Sequence, residues 1–236
     1  NKGTHRYDLY AEVLFCVKYY DKLPGTAHFI CVDEGQDMSL NEYRLIYLLN
    51  HSDVIFNVYG DVNQLLKPGR GISNWGELEN GFSMKEFQLN ENYRNTNQIT
   101  RFCNSSFEMN VMQTGVDGAK VREIPRRDLE KELSEINLGA EKIAILVPRS
   151  VRRKNYLVKD ILPSDIRAAI GQKIDNGLIS FMYVDEVKGI EFDKVFVIPN
   201  KMSKNEKYIA YTRALSELVI VVDENIIDQE AQEEYL

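Results

Sequence analysis

The sequence predicts an α/β fold, a parallel sheet flanked by helices, from the apolar runs, the spacing of the segments between them, and their alternation. Apolar runs of strand length, bounded by polar turns, recur at residues 28–32, 54–60, 142–148, 178–184, 194–199 and 218–223. Several are rich in Val and Ile, the composition of strands buried on both faces of a sheet. Between them lie segments with helical spacing, Leu40, Tyr43, Ile46, Tyr47 and Leu49 in one, and Ile209, Ala210, Arg213 and Leu218 in another. Strand and helix therefore alternate, which joins neighbouring strands in parallel through crossover helices.

The elements fall into two parts. Residues 1–87 read as an incomplete α/β unit and residues 88–236 as a fuller one, with the boundary near Phe87. The turn-rich stretch from Lys67 to Gly81, which holds Pro68, Gly69, Gly71 and Gly76, is the expected hinge. Gly115 to Gly118 reads as a loop, and Arg122 to Glu135 as the solvated face of a helix. A chain of 236 residues, 44% hydrophobic and 28% charged, can bury a sizeable core and reads as soluble and globular. No apolar run approaches the roughly 20 residues needed to cross a bilayer, and the first residues lack the apolar core of a signal peptide, so no membrane partner and a cytoplasmic location are expected.

Cys16, Cys31 and Cys103 are odd in number and far apart, the expectation for buried small hydrophobes rather than a disulfide framework or a metal cluster. The net charge of -7 restricts any nucleic-acid binding to a local patch. The chain starts with Asn and contains no G-x-x-x-x-G-K-[ST] phosphate loop, so it reads as a fragment.

Residues able to carry chemistry stand at strand ends. "FICV" runs directly into Asp33, Glu34, Gln36 and Asp37. In open α/β sheets the ligand crevice lies at the carboxyl ends of the strands. An Asp placed there can hold Mg²⁺, and a neighbouring Glu can orient or deprotonate an attacking water. Adjacent carboxylates are costly to keep charged together unless a cation neutralises them. The competing reading is a solvated turn, with Asp37 or Ser39 as the N-cap of the next helix. "VYGDVNQ" repeats the arrangement: Asp61 closes a strand and Gln64 can read a phosphate oxygen or position a water, unless the segment is a plain Gly-Asp turn.

Three further blocks follow. Tyr93 can stack on a base while Arg94 grips phosphate bidentately, or the two form a packed ring beside a surface cation. Lys188, Gly189 and Glu191 precede a strand; Gly189 admits close backbone approach and Glu191 can accept from a ribose hydroxyl, the alternative being a simple turn. Arg213 falls mid-helix among small and apolar neighbours, so its charge needs an internal acid or a phosphate.

In order and spacing, these blocks resemble the motor core of UvrD/Rep-type superfamily 1 DNA helicases. "VDEGQD" is similar to the family's D-E-x-Q-D, "YGDVNQ" to G-D-x-x-Q, "LNENYRNT" to N-Y-R, "VKGIEFDKVFV" to K-G-L-E-F, and "YIAYTRALSELVIV" to Y-x-A-x-T-R-A. The matches run from residue 28 to residue 222. The resemblance implies a RecA-like P-loop NTPase fold, with a partial first lobe over 1–87, a second lobe over 88–236, and ATP and Mg²⁺ bound between them. It implies that Asp33 holds Mg²⁺, Glu34 activates the hydrolytic water, and Gln36 and Gln64 sense the γ-phosphate. Tyr93 would stack on adenine, Glu191 would hold the ribose with Gly189 beside it, and Arg94 and Arg213 would stabilise charge on the transferred phosphoryl group.

The chain also departs from the family. The block after Gln64, "LLKPGRGISNW", has no aromatic residue before Trp75, where family members carry residues that stack on single-stranded DNA. "YVDEV" replaces the Thr-x-His element, which sets Asp185 and Glu186 beside a would-be phosphate path and opposes polyanion binding. The compact second lobe is similar to shorter members such as the HelD-type ATPases that act on RNA polymerase. The expected function is part of an ATP-dependent helicase or translocase moving on single-stranded nucleic acid, DNA before RNA. The alternatives are a HelD-like ATPase that remodels a protein partner such as RNA polymerase, and a non-catalytic interaction module. Without the phosphate loop, this segment alone is expected not to hydrolyse ATP.

Overall fold

The structure, a computed structural model, describes residues 27–50, 54–136, 141–149 and 179–222. Cys16 and residues 150–178 lie outside the described residues. The chain divides into two compact units, Asn1–Gln88 and Leu89–Leu236.

In the first unit, β1 (Phe29–Val32) and β2 (Ile55–Val58) pair in parallel, with Phe29 opposite Ile55 and Val32 opposite Val58. Helix α1 (Leu40–Leu48) follows β1. Its first turn is closed by a capping box: the Ser39 hydroxyl accepts from the Glu42 N–H, and the Glu42 carboxylate accepts from the Ser39 N–H at 2.8 Å. Of the two N-cap candidates, Ser39 is therefore the one used. Helix α2 (Gly76–Phe82) completes the unit. Val32, Tyr43, Ile72 and Leu78 form its core, and Tyr47 and Phe56 each set their rings against Phe82 at 6.0 and 6.1 Å between centroids.

The first unit differs from expectation in three ways. The stretch from Lys67 to Gly81 is no hinge: Ile72 and Leu78 are buried in the core, and the Ile72 N–H donates to the Gln36 carbonyl at 2.9 Å. β1 and β2 are not buried on both faces, since Phe29 is 70% and Ile55 50% exposed while Ile30 and Phe56 pack inward. This period-2 alternation belongs to a strand with one covered face. Cys31 lies on the outer face and is exposed, whereas Cys103, in the second unit, is buried and its thiol is pushed up to about 12 by burial.

The second unit is built on a parallel sheet of β5 (Arg122–Pro125), β9 (Ala214–Val222), β8 (Phe192–Val197), β6 (Ile143–Val147) and β7 (Ile179–Tyr183), in that spatial order. Every residue of β6 is buried, as the unbroken run "IAILV" requires of an interior strand. Ile145, Val147, Phe196, Val219 and Val221 meet Leu129 and Leu133 of α4 (Leu129–Ser134) in one core. A short pair, β3 (Glu91–Asn92) and β4 (Met112–Gln113), flanks α3 (Asn97–Phe107). Helix α3 packs on α5 (Lys204–Tyr211) through Phe102 and Phe107 against Tyr208 and Tyr211.

Two expectations are corrected here. The stretch from Arg122 to Glu135 is not one helix face. It opens as the sheet-edge strand β5 and continues into α4, with Arg122 paired to Glu132 at 2.7 Å and to Glu217 of β9 at 3.0 Å. Nor is Arg213 mid-helix: α5 ends at Tyr211 with Thr212 as its C-cap, and β9 starts at Ala214.

Candidate functional site

In the first unit, the chain leaves β1 through Asp33 and Glu34 and turns into a single 3₁₀ turn, Gly35–Asp37. Glu34 holds a left-handed backbone at φ 51°, a conformation costly for a non-glycine residue and met where the surroundings enforce it. Those surroundings are specific. The Gly35 N–H donates to the Tyr59 carbonyl at 2.8 Å, which ties the turn to the end of β2, and the buried Tyr43 hydroxyl donates to the Gly35 carbonyl at 2.8 Å. Burial holds the Tyr43 phenol up at about 12.

Gly35 has no space for a side chain: a Cβ would stand 2.4 Å from Val58 Cγ1 and 2.5 Å from the Tyr43 hydroxyl. Gly35→Ala is therefore expected to destabilise the first unit by about 1–3 kcal/mol, as overpacking does. Urea denaturation checks this, and an unchanged midpoint would mean that the turn re-forms without strain.

Around this turn the predicted residues converge. Gln36 is fully buried; its Nε2 donates to Glu34 Oε2 at 2.6 Å, and its Oε1 accepts from the Asp61 N–H at 3.1 Å. Asp61 caps the 3₁₀ turn Val62–Gln64 through Asn63, and its second carboxylate oxygen accepts from Gln64 Nε2 at 3.2 Å. Asp33 is exposed, with Oδ1 accepting from the Glu34 N–H at 2.9 Å. Both acidic turns thus stand at the carboxyl ends of paired strands, where open α/β sheets bind ligands.

In the second unit, Arg94 and Glu191 form an ion pair at 2.6 Å. Tyr93 is 72% exposed, and its hydroxyl donates to the Glu91 carboxylate, a bond that raises the phenol. Gly189 has φ 74° with nothing near its missing Cβ, so the turn from Val187 to Ile190 needs glycine for its backbone conformation rather than for space. Arg213 is buried at the end of α5, where Nε donates to the Ile209 carbonyl at 3.2 Å.

The sequence reading missed what joins Arg94 to Arg213. Buried Asn95 donates from Nδ2 to the Thr212 and Ala214 carbonyls, at 3.2 and 2.6 Å, on either side of Arg213. Asn92 Oδ1 in turn accepts from the N–H groups of Arg94 and Asn95 at 2.9 and 3.2 Å. The run of amides in "NENYRNTNQ" was the available signal. Asp185 and Glu186 gain a partner that their sequence context did not indicate. Arg149 bridges both at 2.6 Å and lies 4.4 Å from the Tyr183 ring centre, which offsets one of their two negative charges within the second unit.

Among the described residues, no group of three or more His, Cys, Asp or Glu converges as a protein-only metal cage would. The exposed oxygens of Asp33 instead suit Mg²⁺, which keeps several waters and is held by one or two carboxylates together with substrate phosphates. No helix among the described residues is long and apolar enough to cross a membrane.

No protein-family model matches the chain. Over 82 residues it is 34% identical to a probable DNA helicase of Mycoplasma pneumoniae, a stretch covering 34% of this chain and 16% of that protein. The structure of PRRSV helicase superimposes with a TM-score of 0.51 at 17% identity, covering 89% of this chain and 37% of that one. Arterivirus nonstructural protein 10 (helicase), in complex with DNA, gives a TM-score of 0.50 at 14% identity, covering 89% of this chain and 43% of that one. The chain spans 16% of the Mycoplasma protein and less than half of each of these two viral structures. Over those 82 residues it is similar in sequence to a probable DNA helicase, and its fold is the RecA-like α/β fold of helicases.

Proposed function

We propose that this chain forms part of an ATP-dependent, superfamily 1 type helicase or translocase motor that moves on single-stranded DNA. One observation carries the reading: Glu34, Gln36, Asp61 and Gln64, which are 30 positions apart at most, are drawn into one hydrogen-bonded group at the ends of two parallel strands, beside exposed Asp33. Phosphoryl transfer is catalysed chiefly by positioning and electrostatics, and this group offers both. Bound Mg²⁺ would neutralise charge on the nucleotide phosphates, with Asp33 as its protein ligand. Glu34 would orient the attacking water and accept its proton, while Gln64 would meet the γ-phosphate. Arg94 and Arg213 would stabilise the negative charge that develops on the transferred phosphoryl group, Tyr93 would stack on adenine, and Glu191 would accept from the ribose. Similarity to a probable DNA helicase, and to a helicase structure solved with DNA, supports DNA as the track.

A second reading is an ATPase that remodels a protein partner such as RNA polymerase. It is favoured by the absence of an aromatic residue between Gln64 and Trp75 and by the acidic Asp185 and Glu186. ATP-driven displacement of streptavidin from the end of biotinylated single-stranded DNA by the native gene product separates the two. The motor reading predicts displacement that stops without ATP. ATP turnover without displacement would move the assignment to a protein partner.

A further inference from the structure

We infer that Gln36 is a positioning residue that aims Glu34 and locks it to the Gly60–Asp61 loop, rather than a contact of the nucleotide itself. The inference rests on the proposed ATPase function and adds a role for this amide within it.

Several observations point the same way. Gln36 has no exposed surface. Both ends of its amide are engaged, Nε2 with the Glu34 carboxylate and Oε1 with the Asp61 N–H, and its backbone carbonyl accepts from the Ile72 N–H. Three chain segments therefore meet on one residue. Two of them come close only because they lack a side chain: a Cβ on Gly60 would lie 2.2 Å from Gln36 Oε1, and a Cβ on Gly71 would lie 1.9 Å from the Gln36 carbonyl oxygen. The Nε2 bond ends on the carboxylate of the strained residue itself, Glu34, which lies outside any regular helix or strand. From Asp61 the chain of bonds continues to Gln64 Nε2. The water-activating carboxylate and the phosphate-reading amide are thus connected through Gln36, and a shift at either would be felt at the other.

Buried polar groups with every partner satisfied rigidify a site. A misplacement of about 1 Å in a reacting group can cost about a hundredfold in rate.

The test uses the native gene product with Gln36→Met, which keeps the length of the side chain but loses the donor to Glu34, and with Gly60→Ala, which leaves Gln36 intact but drives a methyl group into its Oε1. Each single variant and the double variant are compared for kcat, KM and the Kd of a fluorescent non-hydrolysable ATP analogue. Positioning predicts that kcat falls about a hundredfold in both single variants. It also predicts that Kd stays within about twofold, and that the double variant is no worse than the poorer single one, as for residues acting as a unit. A Kd weakened in step with activity would show that Gln36 touches nucleotide, and wild-type kcat in Gly60→Ala would show that Glu34 needs no such support; either overturns the inference alone. A wild-type protein that binds the analogue but does not turn over ATP would overturn the proposed function and this inference with it.

Discussion

Arg213→Ala in the native gene product is expected to lower ATP turnover by about 10³-fold or more, the range for an arginine acting on a transferred phosphoryl group. The side chain is held in place by its surroundings. Arg213 sits in the two-residue join between α5 and β9, its guanidinium bonded to the Ile209 carbonyl and its neighbouring carbonyls clamped by Asn95. A guanidinium is always charged, and its planar fork suits phosphate oxygens better than an ammonium does. Arg213→Lys keeps the charge but not the fork, so it is expected to recover only part of the loss. Because Arg213 is buried, each variant is also unfolded with urea. A fall in kcat with an unchanged midpoint supports the phosphoryl role, whereas a lowered midpoint with normal kcat would make Arg213 a packing residue.

Glu34→Gln carries the second large expected effect, a drop in kcat of about 10²–10⁴-fold, the usual worth of a positioned general base. The substitution keeps the shape of the side chain and leaves an oxygen to accept the bond that Gln36 Nε2 now makes at 2.6 Å. The turn should therefore keep its form, and nucleotide affinity should be preserved. Single-turnover kinetics beside a binding titration check this. Loss of affinity in proportion to activity would place Glu34 on the metal or the phosphates instead of the water.

The sequence made the interior of the second unit plain, because strands such as Ile143–Val147 are buried along their whole length and must be apolar throughout. It made the acidic turns plain because Asp33 directly follows the strand-length run "FICV" and Asp61 closes "VIFNVYG". The edge strand Arg122–Pro125 escaped notice because only Ile124 faces the core while its charged neighbours lie at the margin. Arg213 was placed in a helix because nothing between Tyr211 and Ala214 is a glycine or proline that would mark the stop. The Lys67–Gly81 stretch looked like a hinge because its glycines advertise turns, whereas its fixity comes from Ile72 and Leu78, spaced to no regular period. The run of amides around Asn95 marked its segment but not its partners, since the carbonyls it clamps lie 117 and 119 residues away. The same holds for Gln36, whose sequence motif shows an amide next to two acids but not the Gly60 loop folded over it.

The most direct measurement of the central claim is Mg²⁺-dependent ATP hydrolysis by the native gene product, with and without single-stranded DNA. An ATP-driven DNA motor predicts turnover that requires Mg²⁺ and rises when DNA is added. Nucleotide binding without turnover under both conditions, by a protein shown to be folded, would contradict it.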